Sequence, residues 1–320
     1  MKKNISRALI FTTILFIIIA SLSISFERSF KYEEGIKAVS INSLDYLAIG
    51  DSESYSTISP MQIYHETGIK GYNLGEARQK LQDTYFNLKS TLKFQHPKVV
   101  LFETNAIFRE FSTTESSYGK FNAFIKKCFP IYDIHTFWKQ LLSSNKVSSG
   151  DSFSKNPLIT NNSVLKGFRY NTKINPYTKG NYVKISEQLA VIKSTQVEYL
   201  NKIINLCKEN KIELVFFSAP SPKNWTYDQH NTILNIAKKN NYAYLDFNTN
   251  NYVNIDWNKD TYDKGDHLNY FGATKISSFI ADYLKNNTCL KDSISKDYLW
   301  DKAYITYHKM ISNTAPQVIK

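Results

Sequence analysis

Short apolar runs recur through this chain, each ending in small or polar residues, and stretches with helical spacing separate them. The runs are Leu44–Ile49, Gly71–Gly75, Lys98–Glu103, Ile212–Phe217 and Tyr242–Phe247. Between the first two, Ser59 and Pro60 mark a helix start, as N-cap and first helical residue, and Gly68 closes it. Lys80–Phe94 places Leu81, Tyr85, Leu88 and Leu92 on one helical face, and Pro97 ends it. Further helices are predicted near Ser186–Asn210, Tyr227–Asn240 and Gly272–Leu284. Strand–helix alternation of this kind demands a mostly parallel sheet with helices on both faces. Sites in such sheets form at the carboxyl ends of the strands. Ser52, Gly75, Glu103–Asn105 and the loop from Ser218 all fall there, and His267 follows the last strand.

Two stretches break the pattern. Roughly Ala106 to Tyr182 is aromatic and polar, with Ser/Asn/Gly-rich patches, and reads as an insertion of short helices and loops over a site. Met1-Lys2-Lys3 and Arg7 precede Ala8–Phe26, which carries no charge. About 19 residues at roughly 1.5 Å each span about 28 Å, close to a bilayer core. An uncleaved signal anchor is favoured over a cleaved signal peptide, because the run is long and no Ala-x-Ala site follows it. Either way the rest of the chain lies outside the cytoplasm. The expected organisation is a basic cytoplasmic tip (1–7), a single-pass anchor in the cell membrane (8–26), a linker (27–43), an extracytoplasmic catalytic domain (44–290, insertion about 106–182) and a helical tail (291–320).

The net charge of +12 is mostly lysine spread along the whole chain. It reads as a solvated surface that also suits anionic lipids or wall polymers. With no motif and no dense basic stripe, nucleic-acid binding is excluded. Cys128, Cys207 and Cys289 contain no Cys-x-x-Cys. One disulfide and three free thiols both remain open.

The chemistry sits in two motifs, Gly50-Asp51-Ser52-Glu53-Ser54 and Tyr262-Asp263-Lys264-Gly265-Asp266-His267-Leu268-Asn269. A serine hydroxyl needs a base, an acid to orient that base, and donors for the oxyanion. Ser52 is the candidate nucleophile and His267 the base, with acidic neighbours Asp263 and Asp266. Among the other histidines, His65, His96, His230 and His308 lack such a setting, and His135 is a candidate pocket residue in an aromatic stretch. Asp51 and Glu53 read as turn and surface residues. Asp263, Asp266 and His267 make a weak cation site with no second ligand cluster beside it, so no metal is expected. Walker and dinucleotide loops are absent, and no cofactor is expected.

Gly-Asp-Ser after the first strand, a glycine after the second, an asparagine after the third and a C-terminal Asp/His pair resemble the SGNH (GDSL-type) hydrolase superfamily. The resemblance covers roughly 44–105 and 186–285. It looks closest to membrane-anchored bacterial envelope members, such as the teichoic-acid D-alanyl-transfer protein and alginate-type O-acetyltransferases. It implies a three-layer α/β/α sandwich on a flavodoxin-like five-stranded sheet. It implies Ser52 as nucleophile and first oxyanion donor, Gly75 as a second backbone donor and Asn105 as a side-chain donor. The family's Gly-x-Asn-Asp block reads Glu103-Thr104-Asn105-Ala106 here, so a structural Asn at a strand end is an equal alternative. The family spacing Asp-x-x-His places Lys264 at the acid position. Asp263 reaches the ring if the turn bulges, whereas Asp266 would point elsewhere and cap the next helix; Asp263 is preferred. The expected activity is a serine esterase or O-acyltransferase acting through an acyl-enzyme on a cell-surface polysaccharide or wall polymer. Its expected partners are that polymer, the membrane and a membrane-bound acyl-export protein. The alternative is a non-catalytic envelope-polymer binding or assembly protein of the same fold.

Overall fold

A computed structural model of the protein describes residues 2–29, 35–112, 114–117, 121, 164–250, 252–291, 297–312 and 317–318. The chain divides into two compact units, 1–33 with 113–157, and 34–112 with 158–320. In the first, helix α1 (Lys2–Ser29) contains an 18-residue window, Asn4–Ser21, of mean hydropathy 1.8. It is long and apolar enough to cross a membrane. The Thr12 and Thr13 hydroxyls donate back to the Ala8 and Leu9 carbonyls, at 3.0 and 2.9 Å, which hides polar atoms that such an exposed apolar helix would otherwise present.

The second unit is built on five parallel strands: β1 (Tyr46–Ile49), β2 (Gly71–Asn73), β3 (Val99–Glu103), β4 (Glu213–Ser218) and β5 (Ala243–Asp246). Their order is β2-β1-β3-β4-β5, the flavodoxin-like arrangement. Period-two alternation explains why the central strands are continuously apolar. Leu47, Ile49, Val100, Phe102, Leu214 and Phe216 enter the core on one face; Tyr46, Ala48, Val99, Leu101, Val215 and Phe217 enter that on the other. Helices α4 (Leu81–Thr91), α6 (Ser194–Glu209) and α7 (Tyr227–Asn240) supply Leu88, Ile203 and Ile233 to the first face. Helix α3 (Pro60–Thr67) and helix α8 (Tyr270–Asn287) supply Ile63, Ile276 and Ile280 to the second. Two further short helices, α2 (Ser52–Thr57) and α5 (Asn105–Phe108), follow β1 and β3 directly, and α9 (Tyr298–Ser312) lies in the tail.

The predicted boundaries of α3 and α7 agree with the structure, and local chemistry accounts for both. Gly68 closes α3 with φ at 74°. Thr226 and Gln229 form a reciprocal capping box at the start of α7. The helix expected from Ser186 instead begins at Ser194. The backbone of 186–190 is bonded to α7: Asn231 donates to the Ser186 and Gln188 carbonyls, Thr232 donates to Ala190 O, and Ala190 N–H donates to Asp228 O. Tertiary partners here outcompete helical ones. Ser59 is the N-cap of α3 by position, but its hydroxyl pairs with Tyr307 OH at 3.1 Å rather than with its own helix.

Candidate active site

The site forms where β1, β3 and β4 end. Gly50 follows β1 with φ at 142°, and a Cβ there would lie 2.7 Å from Glu103 Cβ, so the chain turns here only with glycine. Asp51 then caps α2, its Oδ1 accepting the Glu53 N–H at 3.0 Å. Ser52 is the first residue of α2. Asp51 Oδ2 also accepts from Asn105 Nδ2 at 2.9 Å and from the Arg109 guanidinium at 2.6 Å.

The histidine loop closes on itself. Thr261 pairs with Leu268 in an antiparallel bridge, and Thr261 Oγ1 donates to His267 O. Lys264 and Gly265 hold φ at 63° and 82°, reversing the chain between Asp263 and His267. One Asp263 oxygen accepts the His267 backbone N–H at 2.7 Å, and the other sits 2.6 Å from Nδ1. The Asp266 carboxylate is 3.8 Å from Nδ1, 3.6 Å from Lys223 Nζ and 2.5 Å from Asn224 Nδ2. Tyr262 stacks on the imidazole, centroid to centroid at 5.6 Å. With Nδ1 facing a carboxylate, the second nitrogen, Nε2, is buried and has no hydrogen-bond partner.

Ser52 and His267 approach through their neighbours. Asn224 donates to Glu53 Oε1 and to Asp266 Oδ1, at 2.5 Å each. Ligand atoms of Glu53, Asp266 and His267 lie within 4.8 Å of one another. No hydrogen bond joins Ser52 Oγ to Nε2.

Two of the expected oxyanion donors, Gly75 and Asn105, are otherwise engaged. The Gly75 N–H donates to Asn73 Oδ1 at 3.0 Å. A Cβ at Gly75 would lie 2.7 Å from Asp51 O, so glycine lets β2's end approach the serine turn. Asn105 spends its backbone N–H on the Glu103 carboxylate and its side-chain amide on Asp51. His135 lies outside the described residues, as does Cys128.

Two expectations are corrected. Glu53 is not a surface residue; it is 1% exposed, as the helix begun by Asp51 turns it inward. Asp266 does not cap α8. Asn269 does, accepting from the Phe271 and Gly272 N–H groups, because it stands immediately before that helix. Burial, with the charges of Glu103 and Asp51, pushes the Glu53 carboxyl well above the usual range. Burial and the Asp51 charge do the same to Glu103, against three backbone donors. Asn224 and Arg109 are not singled out by sequence, and Asp51 and Glu53 read there only as turn and surface residues; Glu103 is placed at the end of its apolar run.

A second pair, His230 Nδ1 with Asp246 Oδ2 at 2.6 Å, stands at the end of β5. Asp246 also takes Trp225 Nε1, Tyr244 OH and the amides of Asn248, a saturated network with no serine on the imidazole. A small cleft between these regions is lined by Glu53, Glu103, Asn105, Ser218, Asn224 and Trp225, among others.

No protein-family model matches this sequence, and neither does any curated protein. Among solved structures, it is similar to a Desulfitobacterium hafniense protein assigned to the lipolytic G-D-S-L family (14% identity, 74% of this chain and 97% of that one, TM-score 0.39). It is similar to a Bacteroides fragilis protein assigned as an acylhydrolase (12%, 75% and 86%, TM-score 0.37). It is also similar to a GDSL-like lipase from Bacteroides thetaiotaomicron (12%, 84% and 100%, TM-score 0.37).

Proposed function

We propose that the protein is an SGNH-type serine esterase or O-acyltransferase, held at the cell membrane by α1 and acting on acyl esters of a cell-surface polysaccharide or wall polymer. The observation that carries this reading is the state of His267. Asp263 fixes Nδ1, and Nε2 is left buried and unengaged beside the turn that bears Ser52. That is the tautomer a general base requires.

Ser52 would attack the ester carbonyl as Nε2 takes its proton. The imidazolium, stabilised by Asp263, would return that proton to the leaving alkoxide. The acyl-enzyme would then pass its acyl group to a sugar hydroxyl or to water. The open Ser52–His267 arm is consistent with an unliganded enzyme, where such bonds are often long and tighten on substrate binding. A membrane-bound acyl-export protein is the partner a transferase of this location would need.

The engaged Gly75 and Asn105 donors favour a second reading, a non-catalytic envelope-polymer binding or assembly protein. A fluorophosphonate probe on the full-length protein in detergent separates the two. Labelling of wild type that is lost in Ser52→Ala and in His267→Ala supports the enzyme. A folded wild type that does not label refutes it in favour of the binding protein.

A further inference from the structure

We propose that Glu53, Asp266 and His267 form a binding site for a divalent metal ion of the Zn2+ class, which holds the serine site silent while bound. The sequence offers Asp263, Asp266 and His267 with no second ligand cluster beside them; the fold brings Glu53 to Asp266 and His267 from a distance of more than two hundred residues.

Geometry is the first argument. The three ligand atoms fall within 4.8 Å of one another. Bonds of about 2.0–2.2 Å in a tetrahedral shell need ligand atoms roughly 3.3–3.6 Å apart. Contraction by about an ångström therefore completes three corners, with a fourth left for water. The donor set of one imidazole and two carboxylates suits Zn2+ better than Ca2+ or Mg2+, which take oxygen-only shells.

Orphaned atoms are the second. Glu53 is 1% exposed, yet its Oε2 has no partner, and His267 Nε2 is buried and unpartnered in the same cluster. A buried polar atom without a partner is costly. One cation between them satisfies both. The surroundings also orient the ligands as outer shells of metal sites do. Asp263 faces Nδ1 and leaves the Nε2 lone pair outward, the carboxylate–histidine arrangement common around zinc. Asn224 holds one oxygen each of Glu53 and Asp266, setting the direction of the others.

Charge is the third. Asp51, Glu53, Glu103, Asp263 and Asp266 crowd this end of the sheet, and among the described residues the cations in contact with them are Arg109 and Lys223. A divalent ion offsets the excess.

The metal and Ser52 compete for one lone pair on Nε2, so a bound ion removes the base. This consequence rests on the serine reading; the binding itself does not. The full-length protein in detergent, stripped with EDTA, is titrated with Co2+ as a visible-absorbing probe and with Zn2+ by calorimetry. One ion per chain is expected. Glu53→Gln and Asp266→Asn should each weaken binding at least tenfold, roughly the loss seen on disturbing a metal shell. Ser52→Ala should bind as wild type. Saturating Zn2+ should abolish fluorophosphonate labelling, and EDTA should restore it. Melting curves establish that each variant is folded, and either carboxylate variant alone suffices. Absence of stoichiometric uptake by folded wild type, or uptake unchanged in a folded carboxylate variant, overturns the site. Undiminished labelling at saturating Zn2+ overturns the silencing. Ion uptake without any labelling would leave the site standing and remove the serine reading instead.

Discussion

Replacing Asp263 by Asn tests the proposed base directly. The change preserves size and removes one charge and one acceptor. In the structure both carboxylate oxygens are used, one by the His267 backbone N–H at 2.7 Å and one facing Nδ1 at 2.6 Å. An asparagine has a single acceptor oxygen. If it stays on the backbone N–H, the amide NH2 faces Nδ1 and forces the proton onto Nε2, the nitrogen that must accept it from Ser52. If it turns, the backbone bond is lost and the loop loosens.

The magnitude follows from the charge that develops on the ring. An imidazolium and a carboxylate with centres about 4 Å apart interact by about 4 kcal/mol at an effective dielectric near 20. Asp263 is 26% exposed, so solvent screens part of this, and about 2 kcal/mol is a reasonable lower bound. At about 1.36 kcal/mol per decade, the rate falls about 30- to 1,000-fold. The assay is the second-order rate constant for fluorophosphonate labelling in EDTA, with melting temperature as a fold control. Asp266→Asn should fall far less, since that carboxylate is 3.8 Å from Nδ1 and already faces Lys223 and Asn224. A folded Asp263→Asn protein labelling within about threefold of wild type would refute the assignment, as would a larger loss in Asp266→Asn.

Two further outcomes test the fold and its electrostatics. Glu53 and Glu103 are both raised, so the folded chain keeps their protons where the unfolded chain, titrating near 4.5, has released them. Stability in EDTA should therefore fall as pH climbs from 4.5 towards those raised values, and Glu53→Gln should make the fall shallower; parallel melting-temperature curves for the two proteins would contradict this. Ile280 is fully buried between α8 and the sheet, and Ile280→Ala should cost about 2–5 kcal/mol in denaturant unfolding; a loss under about 1 kcal/mol would mean that α8 does not cover this face.

The sheet was legible because its central strands are buried on both faces. Val99-Val100-Leu101-Phe102 has no polar residue to spare, and a run so short and so apolar has few other places to go. Helix ends were legible where the signal was local, as with Pro60, Gly68 and the Thr226/Gln229 box. They were not legible where a distant element decides. The segment 186–193 has helical spacing, yet α7 takes its carbonyls through Asn231 and Thr232. Ser52 stands just past the end of β1, which the alternation alone locates, whereas His267 lies in the loop after the last strand. Glu53 reads as a surface residue because its partner, Asn224, lies 171 residues away, and nothing next to it in sequence marks it as buried.

That displacement of Glu53 from surface to interior connects the two proposals. A buried carboxyl directly after Ser52, the proposed nucleophile, is an electrostatic burden: it would oppose the negative charge of an oxyanion formed there. Here Asp51 and Glu103 add to it, and Asp51 alone is matched by a cation, Arg109. Protonation of Glu53 would relieve that burden and leave Nε2 free for the proposed base role. A metal ion relieves it as well, but by occupying Nε2. If both proposals hold, the same excess of acid would favour two states that exclude one another, one with Nε2 free to act as the base and one with Nε2 bound to the ion. Because carboxylate and imidazole ligands bind a metal ion in their deprotonated forms, affinity for the ion should rise with pH, and Zn2+ titrations at two pH values would detect that coupling directly.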